Sequence, residues 1–367
     1  MTEPKFPQQV DRTWIRWRGR RLSYFGGCDY FRLASHPEVL AAVVEGVRRL
    51  GLNVAASRKT TGNHPLYEKL EKQLARFFDA EAALLTSNGY ITSLTVAQAL
   101  AGQFSHALID ERAHGALKDA VRFLDCPILK FKHRDVDGFA QTVRRCGGGA
   151  RIIVLTDGMF SHDGSIAPLA AYFRFLPRDG LLLVDDAHGA GTLGKTGKGT
   201  LELERVGRAR VVQCITLSKG FGVYGGAVLC TKELRERITA GSSLFIGSTP
   251  LPLPLAYAAA VAVRVLKSEE DLRHRLDKNV RRVKDALRRA GVVLPDAPGP
   301  IVSVHFTNSR KNGQLKRALL AAGILPPFIQ YPGGPESGYF RFVISSEHSQ
   351  RQLDDLVRVL SPRADSL

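Results

Sequence analysis

The sequence predicts an α/β fold: a large domain on a mostly parallel sheet, followed by a smaller α+β C-terminal domain. Three observations carry this. Continuous apolar runs, such as Ile152–Thr156, Leu181–Val184 and Val211–Leu217, recur through the middle of the chain, which suits strands covered on both faces. Segments with helical spacing separate them, as in a βαβ series. After Pro250–Pro254 the rhythm changes to one long amphipathic stretch and then short strand and helix patterns. The expected divisions are an N-terminal segment at 1–50, a large domain at 51–250 and a small domain with its linking helix at 251–367.

Glu38–Leu50 carries Val39, Leu40, Val43, Val44, Val47 and Leu50 at helical spacing. A Gly/Asn/Thr-rich stretch follows, and Leu66–Phe78 is helical again, with Leu66, Leu70, Leu74 and Phe77 on one side. Ala82–Thr86 reads as a short strand, and Ser87-Asn88-Gly89-Tyr90 turns into a helix containing Leu94, Ala97 and Leu100. Further strands are expected at Ala107–Ile109, Ile128–Phe131, Ile152–Thr156, Leu181–Val184, Val211–Leu217 and Ala227–Cys230. One long helix is expected from Ala256 to about Ala290, interrupted near Ser268. Strands at Ile301–Phe306 and Phe340–Ile344, with helices at Asn312–Ala322 and Gln350–Leu360, complete the small domain.

The 367 residues suffice for a large core and two domains. No apolar run approaches the roughly 20 residues a membrane span needs, and Met1-Thr2-Glu3-Pro4-Lys5 lacks an apolar signal core. A cytoplasmic protein without a membrane span is expected. The five scattered cysteines contain no Cys-x-x-Cys pair, so neither a metal site nor a disulfide framework is indicated, and Cys214 and Cys230 read as small core residues. The net charge of +17 suits anionic small molecules or an acidic protein partner, since no nucleic-acid recognition module is visible. Arg16, Arg18, Arg20 and Arg21 form the densest basic cluster, suited to phosphate groups or to coating a mobile N-terminal segment.

The chemistry sits at strand ends, where ligands bind in such sheets. Val211–Thr216 runs into Leu217-Ser218-Lys219, and Leu181–Val184 into Asp185-Asp186-Ala187-His188-Gly189; Asp157 ends a third strand. A lysine, a carboxylate and an imidazole are the parts that pyridoxal phosphate chemistry needs. The lysine holds the aldehyde as a Schiff base, and the carboxylate keeps the pyridine nitrogen protonated. Ser87-Asn88-Gly89-Tyr90, opening a helix, suits the phosphate.

The motifs stand in an order that resembles the α-oxoamine synthase family, from about Leu22 to about Leu360. They are Asp29-Tyr30; Ser57-Arg58 with Gly62; Asp110 with His114; Asp157-Gly158-Met159-Phe160-Ser161 with Asp163-Gly164; Asp185-Asp186-Ala187-His188-Gly189; Thr216-Leu217-Ser218-Lys219; and Arg341 followed by His348. The resemblance implies a fold-type I pyridoxal 5′-phosphate enzyme that condenses a small amino acid with an acyl-CoA or acyl carrier protein thioester, losing carbon dioxide. It implies that Lys219 carries the Schiff base, Asp185 pairs with the ring nitrogen, and His188 and Ser161 lie near the phenolic oxygen. It further implies that His114 stacks on the ring, that Arg341 grips the substrate carboxylate, and that Gly89, Tyr90 and Thr216 meet the phosphate. Ser248 and Thr249 match residues that reach the neighbouring subunit's phosphate, implying a homodimer with shared active sites.

Some positions depart from the family pattern: Cys28 stands where asparagine is usual, Asn53-Val54-Ala55-Ala56 replaces a Gly-rich approach, and Tyr67 replaces a histidine. Tyr331-Pro332 is closer to the glycine acetyltransferase and 5-aminolevulinate or sphingoid-base synthase branches than to the Arg-Pro-Pro-Thr loop of 8-amino-7-oxononanoate synthases. The branch stays open between these, and the alternatives are another fold-type I enzyme, an aminotransferase or lyase, or a non-catalytic anion-binding protein on the same scaffold.

Overall fold

The computed structural model describes residues 8–330 and 335–361; Tyr331-Pro332 lies outside them. The chain forms two compact units. One holds the described residues up to Ser35, the segment Ser161–Ser165 and the residues from Glu269 onward; the other holds His36–Phe160 and Ile166–Ser268.

The first unit begins with an antiparallel meander, β1 (Gln8–Asp11), β2 (Trp14–Trp17) and β3 (Arg20–Ser23). The arginine cluster belongs to this ordered sheet rather than to a mobile coat. Arg21 stacks on Trp14 and pairs with Asp11 at 3.6 Å, Arg18 covers Trp17, and Arg20 donates to the Leu320 carbonyl at 2.9 Å.

The second unit is built on seven strands: β4 (Ala82–Thr86), β5 (His106–Asp110), β6 (Ile128–Phe131), β7 (Ile152–Asp157), β8 (Leu181–Asp185), β9 (Val211–Thr216) and β10 (Gly226–Cys230). Their order is β4-β10-β9-β8-β7-β5-β6, with β10 antiparallel to both neighbours and the rest parallel. Two apolar clusters explain the unbroken hydrophobic runs. Ile109, Leu155 and Leu183 pack on one face with Val96 and Leu117, while Leu108, Val154, Leu182 and Val184 pack on the other with Phe139 and Tyr172. Cys214 and Cys230 are buried in the first cluster, and all five cysteines are free thiols.

The long helix expected after Pro254 is interrupted where the sequence indicated, near Ser268: it forms two helices, Leu253–Ser268 and Glu270–Arg289, broken at Glu269. The break coincides with the boundary between units, and Leu253–Ser268 packs on Pro37–Leu50 within the sheet-bearing unit. The rest of the first unit is an antiparallel sheet of β11 (Ile301–Val304), β12 (Phe328–Ile329) and β13 (Tyr339–Val343), in the order β11-β13-β12, with helices Ser309–Ala321 and Gln350–Leu360. Among the described residues no helix is long and apolar enough to cross a membrane.

Candidate active site

The site is built where β8 and β9 end. Strand β9 is buried along its whole length, so the chain leaves the core only after Thr216. It then turns tightly back into β10: the Leu217 N–H donates to Gly225 O at 2.9 Å, the Val223 N–H to Leu217 O at 2.9 Å, and the Gly222 N–H to Lys219 O at 3.0 Å. Gly225 has φ +116°, a conformation side chains oppose. The turn brings Lys219 Nζ within 2.9 Å of His188 Nε2.

His188 is held by the loop after β8, and Asp186 anchors that loop. Asp186 Oδ2 accepts from Thr200 N at 2.8 Å and Gln213 Nε2 at 2.6 Å, and Oδ1 accepts from Thr200 Oγ1 at 2.6 Å. Burial outweighs these bonds and lifts the Asp186 carboxyl to about 6. The preceding residue, Asp185, faces the other way; its Oδ1 accepts the Ala187 N–H at 3.1 Å, and its side chain lines a pocket with Lys219.

His114 follows β5 and caps the helix Gly115–Ala120, its Nδ1 accepting the Ala116 N–H at 3.2 Å. An Nδ1 that accepts leaves the ring proton on Nε2. Burial lowers the His114 pKa, opposed by the charge of Asp185 and assisted by that of Lys219, so the neutral imidazole is favoured. The His114 N–H donates to Asp157 Oδ2 at 2.8 Å. Asp157 was visible in the sequence as a strand end, but its place beside Asp185 required the strand order.

The pocket unites Gly89, Tyr90, His114, Asp185, His188, Thr216 and Lys219, seven of the residues singled out in the sequence. It adds Asn88, Ala116, Asp157, Ala187 and Ser218. Gly89 opens the helix Tyr90–Ala99 against Thr216, and a Cβ there would lie 2.6 Å from Thr216 Cβ. Only glycine allows that approach, which sets a helix start beside a hydroxyl, a cradle for an anion. Asn88 Oδ1 holds the Tyr90 N–H at 3.0 Å. The wall fits pyridoxal 5′-phosphate: an amine for the aldehyde, a carboxylate for the ring nitrogen and a cradle for the phosphate.

Four expected residues are not among those lining this pocket. Ser248 and Thr249 line a separate narrow crevice with Arg58, Ser87 and Ile91. Ser161 and Arg341 belong to the first unit, where Arg341 Nη1 donates to the Ser161 carbonyl at 3.1 Å and Nη2 lies 3.8 Å from Cys28 Sγ.

Residues 27–360 match the aminotransferase class I and II family. The chain belongs to that family. Within it the relatives are of the α-oxoamine synthase group. The chain is 34% identical over 93% of its length, and 88% of the relative, to 8-amino-7-oxononanoate synthase of Thioalkalivibrio sulfidiphilus. It is equally identical, over 94% of its length and 88% of the relative, to that of Stutzerimonas stutzeri. Among solved structures, Sphingomonas wittichii serine palmitoyltransferase superposes with a TM-score of 0.89 at 26% identity, covering 96% of this chain and 90% of that one. The 8-amino-7-oxononanoate synthase of Francisella tularensis shares the fold, with a TM-score of 0.79 at 24% identity over 93% and 97% of the two chains. This family membership agrees with the α/β architecture that the apolar runs indicated.

Proposed function

We propose that this protein is a pyridoxal 5′-phosphate-dependent C-acyltransferase, condensing a small amino acid with an acyl thioester, with loss of carbon dioxide, to an α-amino ketone. The observation that carries the reading is the contact of Lys219 Nζ with His188 Nε2 on a wall shared with Asp185. The bound cofactor supplies an electron sink for a carbanion at the amino-acid α-carbon. Lys219 Nζ would hold the aldehyde and, as a free amine, would serve as the base for the substrate α-proton. Asp185 accepts a charge-assisted hydrogen bond from the ring nitrogen and keeps it cationic. His114 is set to donate from Nε2 to a substrate oxygen, because its Nδ1 is committed to Ala116. His188 receives the lysine and orients it toward the reacting carbon. The family resemblance assigns Arg341 to the substrate carboxylate, a role its guanidinium fork suits.

The relatives' name narrows the substrates. Cleaving 8-amino-7-oxononanoate between C7 and C8 leaves a seven-carbon acyl group with a terminal carboxylate and a two-carbon amine, the residue of decarboxylated alanine. Alanine with a carboxyacyl thioester is therefore the proposed pair, and the +17 charge attracts the phosphates of coenzyme A or an acidic carrier protein. We also propose a cytoplasmic homodimer with shared sites. The Ser248 and Thr249 match supports it, as does the exposed apolar stripe Leu40, Val44 and Val47 on the helix Pro37–Leu50. A thiol-release screen of glycine, alanine and serine against short and carboxylated acyl thioesters, with mass spectrometry of the products, tests the reading. Release only with alanine and the seven-carbon thioester supports it; keto-acid formation without thiol release overturns it.

A further inference from the structure

Asp157 lies in the same pocket but has no part in the proposed reaction, and the role inferred for it rests on that reaction. Asp157 ends β7 opposite Asp185 at the end of β8, partners in one register of a parallel ladder, so their backbones are about 4.8 Å apart. Asp157 is 3% exposed and Asp185 7%. They are the two carboxylates on the pocket wall among the described residues. Asp157 Oδ2 accepts the N–H of His114 at 2.8 Å, and His114 in turn caps its helix through its ring. The polypeptide thus ties a carboxyl beside Asp185 to the backbone of the imidazole that faces the cofactor space.

Charging two buried carboxyls on neighbouring strands at once is costly. Burial first, and then the negative charge of Asp185, raise the Asp157 carboxyl well above the ordinary range; Asp110 adds to this, while the His114 N–H and Lys219 oppose it. Asp185 takes the charge if a cationic ring nitrogen is to be held there.

We propose that Asp157 is a positioning residue that works in its neutral form, fixing the His114 backbone while leaving Asp185 the single anionic group on the wall. An ionised Asp157 would also hold His114 but would put a second negative charge beside Asp185 on the buried wall. An apolar residue would leave the His114 N–H without an acceptor.

Asn is the neutral isostere: it keeps an acceptor oxygen for His114 and carries no charge. The test compares Asp157→Asn and Asp157→Ala with the native holoenzyme by equilibrium pyridoxal phosphate binding. The Asn variant should bind within about threefold of the native protein, and the Ala variant at least about tenfold more weakly. An infrared spectrum at neutral pH, which needs only the native and Asn proteins, should show a protonated-carboxyl stretch in the native protein that is missing from the Asn variant. Equal weakening of both variants overturns the proposal, and so does an identical carboxyl spectrum in native and Asn proteins. If the native chain takes up no pyridoxal phosphate, the functional reading fails instead, and the infrared comparison still decides the state of Asp157.

Discussion

Asp185 and Asp186 are adjacent in sequence and opposite in circumstance. Asp186 points into the unit, where Thr200 and Gln213 supply three hydrogen bonds. Asp185 points into the pocket, accepts one backbone N–H from Ala187, and shares its wall with Lys219 and His114. A buried polar group whose capacity is met by its own chain is structural; one whose remaining capacity faces a cavity is available for a ligand. The strand end sends one carboxylate each way, and the inner one holds the loop that presents the outer one.

The largest effect should come from the pocket side. Lys219→Ala removes the amine from the wall, and turnover should fall by about a thousandfold or more. Visible imine absorption on adding pyridoxal phosphate should vanish, with the thermal midpoint little changed. Retention of both absorption and turnover would assign the chemistry to another residue.

The two aspartates should then separate by readout. Asp185→Asn should cost about a hundredfold or more in kcat with little change in stability. Asp186→Ala should cost about 2–4 kcal/mol in a denaturant titration, because it strands the donors of Thr200 and Gln213. If both variants lost activity and stability alike, the division into a structural and a ligand-facing carboxylate would be wrong.

His114 stands between these extremes, since its ring serves both a helix cap and the pocket. His114→Asn keeps a capping oxygen and should be more stable than His114→Ala by about 1 kcal/mol. Both variants should lose about a hundredfold in kcat through the missing Nε2 donor. Equal stability would show that the cap carries no weight.

The same physics decides how much of this was legible in the sequence. Strands covered on both faces left unbroken apolar runs, so β4 and β6 fall where the sequence placed them, β7–β10 differ by one residue at one end and β5 by one residue at each end. Lys219, Asp185 and His188 stood out because each comes just after such a run. The meander of β1–β3 gave no such signal: its strands are four residues long and mix arginines with tryptophans, and the cross-strand pair Ile15 and Leu22 supplies its buried apolar contact. The pairing of Asp157 with Asp185 was hidden for another reason. It depends on β7 and β8 being neighbours, a fact of strand order and not of spacing.

The smallest prediction concerns pH and isolates Asp186. Its carboxyl is raised from 3.8 to about 6 in the folded chain, so between those values the native state holds a proton that the unfolded chain has released. Its contribution to stability is therefore fully present below pH 3.8 and is lost as pH rises through 6. His348 acts in the opposite sense: burial lowers it from 6.5 to about 3, so its contribution is present above 6.5 and lost as pH falls toward 3. The native profile mixes the two. Asp186→Asn separates them, because its amide nitrogen can donate to Thr200 Oγ1 and its oxygen can accept from Thr200 N and Gln213, as the protonated acid does. The stability of the native protein relative to this variant should fall by about 2 kcal/mol from pH 4 to pH 7, measured by urea midpoints across that range. A difference that does not vary with pH would mean that Asp186 stays ionised throughout, and that Thr200 and Gln213 alone meet the cost of its burial.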